Sequence, residues 1–224
     1  MKALKHSVAL RRLCSTLALA IVLVAQSSVD ALAQPLAKNF AEKRLGAQKS
    51  AMWILGTWAG VSILSGVGLS VQSENTTLRY LGFQNIGWGA VNAALAGFAL
   101  FGLGAQIAAL DTLSPSAEAL LKELSEEHTF SKILLVNAGL DVGYMLVGGA
   151  LMWAARNGLS RSDEFFGSGL GVLIQGAFLL IFDIWQAVVS GHRTTELENA
   201  LRPLLSIKVT ALPFGTGLAL TVSF

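Results

Sequence analysis

Residues 165–190 read FFGSGLGVLIQGAFLLIFDIWQAVVS, and this stretch decides the fold. It contains one charged side chain, Asp183, and it exceeds the roughly 20 residues that a helix needs to cross a bilayer. Three other runs have the same character: Ala51–Val71, Leu81–Leu110 and Ile133–Ala155. Asp141 is the only charged residue in those three. The sequence therefore predicts an all-α membrane protein whose residues 51–190 form a four-helix transmembrane domain.

Composition agrees with lipid as the solvent of this domain. The chain has 224 residues, of which 53% are hydrophobic and 13% are charged, whereas a soluble domain carries about 25% charged residues. The net charge of +2 is too small to indicate a nucleic-acid partner. We therefore expect a lipid bilayer as partner, together with a second membrane protein or further copies of the chain.

Chemistry-bearing residues are scarce. Cys14 is the only cysteine, and the three histidines lie outside all four apolar runs. No phosphate-binding loop, metal-ligand spacing or catalytic triad is present in the sequence. We therefore expect no cofactor, no metal site and no catalytic residue, and we interpret the protein as non-enzymatic.

Residues 1–33 have the three parts of a signal peptide: basic residues at the start, an apolar stretch, and Ala31-Leu32-Ala33 before Gln34. The alternative is an uncleaved anchor helix. Export predicts a multi-pass protein of the bacterial cytoplasmic membrane with both termini in the periplasm. The basic residues at 38–49 oppose this orientation under the positive-inside rule, but the three-part leader is the more specific signal.

Three segments lie outside the apolar runs. Residues 34–50 are basic and amphipathic, and they favour either a helix on the membrane surface or a solvated linker. Asp111–Lys132 predicts a loop with a short amphipathic helix, in which Glu123, Glu126 and Glu127 form a solvated face. Residues 191–224 form a periplasmic tail, whose weak alternation after Leu205 predicts a β-hairpin.

The four crossings also indicate an internal repeat of two tandem hairpins. The segment from Trp58 to Ser62 parallels that from Asn137 to Asp141, and Asn92 lines up with Gln175. The offsets are 79 and 83 residues, and chance similarity among glycine-rich helices is the competing explanation. Two crossings per unit would relate the halves by an axis along the membrane normal.

Helical spacing predicts one shared polar pocket. Asn137, Asp141 and Tyr144 follow one face of the third helix, and both aspartates lie at a similar depth from the same membrane face. The remaining predicted members are Gln175, Asp183 and Gln186 on the fourth helix and Asn92 on the second. The pocket is either hydrogen-bonded packing that serves structure or partner assembly, or the site of a small proton- or cation-coupled carrier or channel subunit.

Three segments carry a resemblance to a known family: Phe83–Asn92, Gly139–Tyr144 and Gln175–Asp183. Together they resemble an uncharacterised family of bacterial four-helix membrane proteins, a domain of unknown function, from about Ala41 to Val189. The resemblance implies the four-helix architecture and no particular activity.

Overall fold

The described residues form four long helices, a short 3₁₀ turn and one pair of strands. The computed structural model describes residues 2–72, 74–112, 117–205, 207–211 and 218–222, with side chains described at 35–71, 74–112 and 118–202. The elements are α1 (Lys2–Gln72), α2 (Thr76–Ala108), a 3₁₀ turn (Leu110–Thr112), α3 (Ala117–Arg156), α4 (Ser162–Leu205), β1 (Ile207–Ala211) and β2 (Leu218–Val222).

All four helices are long and apolar enough to cross a membrane. Large apolar side chains face outward along them: Phe98 is 80% exposed, Phe101 85% and Leu146 70%. A helix with apolar side chains on all sides needs an apolar solvent, because in water this large apolar surface would remain exposed. The structure therefore has the build of a multi-pass membrane protein, as the sequence predicted.

The helices pack as two hairpins. α1 lies along α2 and α3 lies along α4, and the hairpins join mainly through α2 and α4. The Asn75 side chain caps α2 by accepting a hydrogen bond from the Leu78 amide. Gly158, with a φ of 92°, allows the tight turn between α3 and α4.

Glycines bring the two helices of each hairpin into close contact. A Cβ added at Gly66 would lie 2.7 Å from the carbonyl oxygen of Gly82, and one added at Gly148 would lie 2.6 Å from that of Gly169. Neither position has room for a side chain, so backbone packs directly on backbone, as is common between helices in lipid.

The two hairpins match contact by contact. Gly148 follows Gly66 by 82 residues, and Gly169 follows Gly82 by 87. A second pair of contacts keeps these offsets: Gly89 lies against the backbone of Ala59, and Gly176 lies against that of Asp141. These spacings differ from the predicted offsets of 79 and 83 by about one helical turn.

The helices continue beyond the apolar runs into a polar cap, formed by residues 35–50, 118–132 and 190–202. Residues 34–50 belong to α1, so the predicted surface helix or linker is wrong. The predicted short loop helix is likewise the first part of α3. Inside the cap, the buried apolar side chains from the three helices pack together: Ala37, Phe40, Leu120, Leu197 and Leu201.

Two buried ion pairs hold the cap. Arg44 of α1 donates from Nε to Glu123 over 2.8 Å, and Arg193 of α4 donates from Nε to Glu127 over 2.5 Å. The predicted solvated face is therefore wrong for Glu123 and Glu127, which are 6% and 3% exposed, and right for Glu126. Helical spacing places the acids on one face of α3, but only the packed structure shows that arginines cover that face.

The C-terminal strands pair antiparallel, with Ile207 opposite Val222 and Ala211 opposite Leu218. They lie where the alternation of the sequence predicted a hairpin, and the connecting residues 212–217 lie outside the described residues.

Candidate functional site

The site lies between the two hairpins, at the gap between α2 and α3. The backbones of these two helices hardly approach each other within the described residues, and we call this space the open gap. Behind it is a cavity of about 360 Å³ lined by all four helices. Among the predicted site residues, five line it: Asn92, Asn137, Asp141, Tyr144 and Asp183.

Asp141 and Asp183 meet at the inner wall of the cavity. Their carboxyl groups lie within hydrogen-bonding reach of each other, and the residues are 3% and 6% exposed. Side chains on a helix lean toward its N-terminus, and α3 and α4 run in opposite directions, so the two carboxyl groups lean toward each other. The close approach at Gly176 beside the Asp141 backbone narrows the distance between the helices.

Two buried polar atoms in the cavity wall have no hydrogen-bond partner among the residues whose side chains the structure describes. These are Oδ2 of Asp141 and Nδ2 of Asn92, and Asn92 is only 1% exposed. An unsatisfied buried polar group costs roughly 1–3 kcal/mol, more for a charged one. The described lining contains no lysine, arginine or histidine. The cavity therefore offers an acidic group and an amide to a ligand and supplies no counter-charge of its own.

Two aromatic side chains form another part of the cavity lining. Tyr144 and Trp88 meet edge to face, with ring centroids 4.9 Å apart, and both are half-buried. Helix two shows Gln84, Trp88 and Asn92 at steps of four, a spacing that places Trp88 on the face of Asn92. This spacing is the sequence signal that could have identified Trp88 as a member of the site.

Gln175 belongs to a different polar cluster. It lies between α1 and α4, where its Oε1 accepts from Trp58 Nε1 over 2.8 Å. Its Nε2 donates to Ser62 Oγ over 3.1 Å and to Asn85 Oδ1 over 3.2 Å. This cluster is internally hydrogen-bonded, and three of its members were absent from the predicted pocket: Trp58 and Ser62 lie on α1, and Asn85 lies two turns from Asn92 on the same face of α2.

The gap between α1 and α4 is filled by this cluster and by one aromatic stack, and we call it the closed gap. Trp58 stacks on Phe178 at 4.0 Å between centroids and 7° between planes. Gln186, the remaining predicted site residue, is buried but does not line the cavity. Neither Gln175 nor Gln186 therefore lines the cavity with the two aspartates.

Comparison with known proteins gives one match. A family model described as "Family of unknown function (DUF6992)" matches residues 54–184, more than half of the chain. No curated protein and no solved structure matches the chain. The predicted resemblance to an uncharacterised family is confirmed, over a slightly shorter range than Ala41–Val189.

Proposed function

The chain belongs to the DUF6992 family, a family of unknown function, and we propose that it is a non-enzymatic membrane protein that binds a proton or a small cation at Asp141 and Asp183. Such a site suits a small carrier or a channel subunit. The observation that carries this proposal is a buried carboxyl oxygen, Oδ2 of Asp141, which has no hydrogen-bond partner within the described part of the chain and belongs to a residue that lines a cavity.

Electrostatics supports a single positive charge as the ligand. Two carboxyl groups in a medium of low dielectric constant resist ionising together, so the pair holds one proton between them and carries a net charge of −1. The described lining supplies no basic side chain to balance that charge. A second proton or a monovalent cation balances it, and releasing either one restores the original state.

The sequence signals indicate which membrane contains the site and from which side a ligand reaches it. The leader-like residues 1–33 support insertion into a bacterial inner membrane, with the cap on the periplasmic side. The aspartates lie toward the cap end of α3 and α4, since Phe130 and Leu134 line the same cavity. A proton or cation would then reach the pair from the periplasmic half of the membrane.

We also infer that the two hairpins are copies of one unit, because their contacts share the offsets of 82 and 87 residues. Under these offsets Asp141 corresponds to Ala59 and Asp183 corresponds to Ala96. Alanines therefore occupy the positions of the first hairpin that correspond to the two aspartates. A purely structural role gives no reason for this difference between the two copies.

A second candidate function is structural, in which buried polar groups fix helix packing or a membrane-protein partner. The Gln175 cluster favours it, because Trp58, Ser62 and Asn85 satisfy that side chain completely inside the bundle. This role accounts for the closed gap and leaves the unpartnered atoms of the open gap without a purpose.

Infrared spectroscopy of the full chain in lipid tests the proposal. We expect the carbonyl band of a protonated carboxyl group at neutral pH, lost in both Asp141→Asn and Asp183→Asn. Asp163→Asn, at an exposed position, is the matched control and should leave the band unchanged. Absence of the band in the native protein, together with no proton or cation flux in proteoliposomes, would overturn the proposal.

A further inference from the structure

The mouth of the cavity opens sideways, toward the surface that the bilayer covers. Val91, Leu95 and Leu140 line the cavity and are also 53%, 57% and 52% exposed. They belong to α2 and α3, the two helices whose backbones hardly approach each other. A molecule dissolved in lipid can therefore reach the aspartates directly through the open gap between α2 and α3.

The lining differs between its exposed and its buried parts. The most exposed lining side chains are aliphatic, and the Trp88 and Tyr144 rings are half-buried. The buried part of the lining holds the carboxyl pair and Asn92 together with the apolar Leu55, Leu134 and Phe182. A bare inorganic cation uses only the polar groups of a cavity of about 360 Å³. An occupant with an apolar tail and one positive charge matches both parts of the lining.

We propose that the open gap admits an amphipathic organic ammonium ion, which enters from the lipid and donates an N–H hydrogen bond to Oδ2 of Asp141. This inference rests on the proposed function, since it requires the carboxyl pair to carry a net charge of −1. The ammonium group balances that charge, and the tail lies between α2 and α3 against Val91, Leu95 and Leu140. Hydrogen bonds to charged groups are the strong ones, so the head group fixes the position of the ligand.

The closed gap shows how the route can be blocked. Under the offsets of the two hairpins, Leu140 corresponds to Trp58, the residue that fills the closed gap. Leu140→Trp therefore places the blocking residue of one gap at the mouth of the other. Leu64, on α1, is 76% exposed and does not line the cavity, so Leu64→Trp is the matched control.

Calorimetry on the full chain in phosphatidylcholine nanodiscs tests the inference with three probes. Hexylammonium chloride carries both the charge and the tail, ammonium chloride carries the charge alone, and hexan-1-ol carries the tail alone. We expect hexylammonium to bind at least about tenfold more tightly than either partial probe, because a charge-assisted hydrogen bond is worth that factor or more. Leu140→Trp and Asp141→Asn should each weaken its binding by about tenfold or more, and Leu64→Trp should leave it unchanged.

Several outcomes would overturn the inference. Equal binding of hexan-1-ol would make the cavity merely apolar, and equal binding of ammonium would make the tail irrelevant. Equal weakening by Leu140→Trp and Leu64→Trp would remove the lateral route, provided circular dichroism shows both variants folded. The infrared band of the carboxyl pair is measured without any amine, so its presence with no hexylammonium binding would reject this inference and leave the proposed function standing.

Discussion

The closed gap, between α1 and α4, and the open gap, between α2 and α3, have opposite characters. In the closed gap, Gln175 bonds to Ser62; the corresponding pair in the open gap, Trp88 and Tyr144, makes a ring contact instead. Every polar group around Gln175 has a partner, whereas Asp141 and Asn92 each retain an atom without one. The same backbone arrangement thus supports a packed seam on one side and an unsatisfied cavity on the other.

The difference indicates where stability and function reside. A satisfied polar cluster with a stacked aromatic pair contributes to packing and leaves no room for a ligand. A buried acid with an unsatisfied oxygen, such as Asp141, costs stability, and such a cost is characteristic of a binding site. Substitutions in the closed gap should therefore destabilise the protein, and those at the acids should mainly change binding.

The largest effect is expected from Trp58→Ala. It removes the stack on Phe178 and the hydrogen bond to Gln175, so we expect a loss of about 3 kcal/mol in the free energy of unfolding. Leu140→Ala, the same truncation at the equivalent position of the open gap, should cost much less because Leu140 is 52% exposed. Unfolding in mixed micelles of increasing dodecyl sulfate content measures both. Equal losses would show that the two gaps do not differ in packing.

The next effect tests the equivalence of the hairpins. Gly66→Ala and Gly148→Ala should each cost about 2 kcal/mol, because the added methyl group meets a carbonyl oxygen that cannot move away without shifting the backbone. Gly97→Ala, where the added methyl group meets no atom, is the control. A large loss at one of the two glycines and none at the other would contradict the inferred duplication.

A smaller effect is expected from Gln175→Leu, which leaves Trp58 Nε1, Ser62 and Asn85 without their shared partner. Hydrogen bonds between membrane helices average about 0.6 kcal/mol, so losing this set should cost about 1–2 kcal/mol. The same unfolding assay measures the loss. An unchanged or raised stability would mean that the cluster is not what holds the closed gap.

The smallest effect is expected from Asp183→Asn. The amide keeps the shape and the hydrogen bond to Asp141 while removing the shared proton, so the free energy of unfolding should change by no more than about 0.5 kcal/mol. The infrared band should nevertheless disappear. A loss of stability as large as that of Gln175→Leu would assign the aspartates a structural role and favour the second candidate function.

Much of this arrangement follows from sequence alone, and the exceptions have physical causes. The length and polarity of the apolar runs suffice to predict four helices, and depth counting places Asp141 and Asp183 at one level. The predicted repeat offsets differ from those of the glycine contacts by about one turn, because small residues recur every three or four positions in these helices and a shifted alignment matches nearly as well. Gln175 could not be assigned to its own cluster, since its partners lie on two other helices whose rotation no spacing rule fixes.

The cap was missed for a related reason. Charged residues such as Glu123 and Glu127 predict a solvated face when only one helix is considered, because burying a lone carboxylate is costly. Their partners, Arg44 and Arg193, lie 79 and 66 residues away along the chain. Only three-dimensional packing brings them together, so a local reading of α3 begins the long helix too late, at Ile133 instead of Ala117.

The Arg44–Glu123 pair also sets an order of events during synthesis. Arg44 leaves the ribosome long before Glu123, so the first hairpin is complete while its guanidinium group still has no carboxylate beside it. An unpaired arginine cannot be buried cheaply, and it must stay hydrated until α3 arrives. Arg44 can therefore become buried only after α3 has packed against α1 and placed Glu123 beside it.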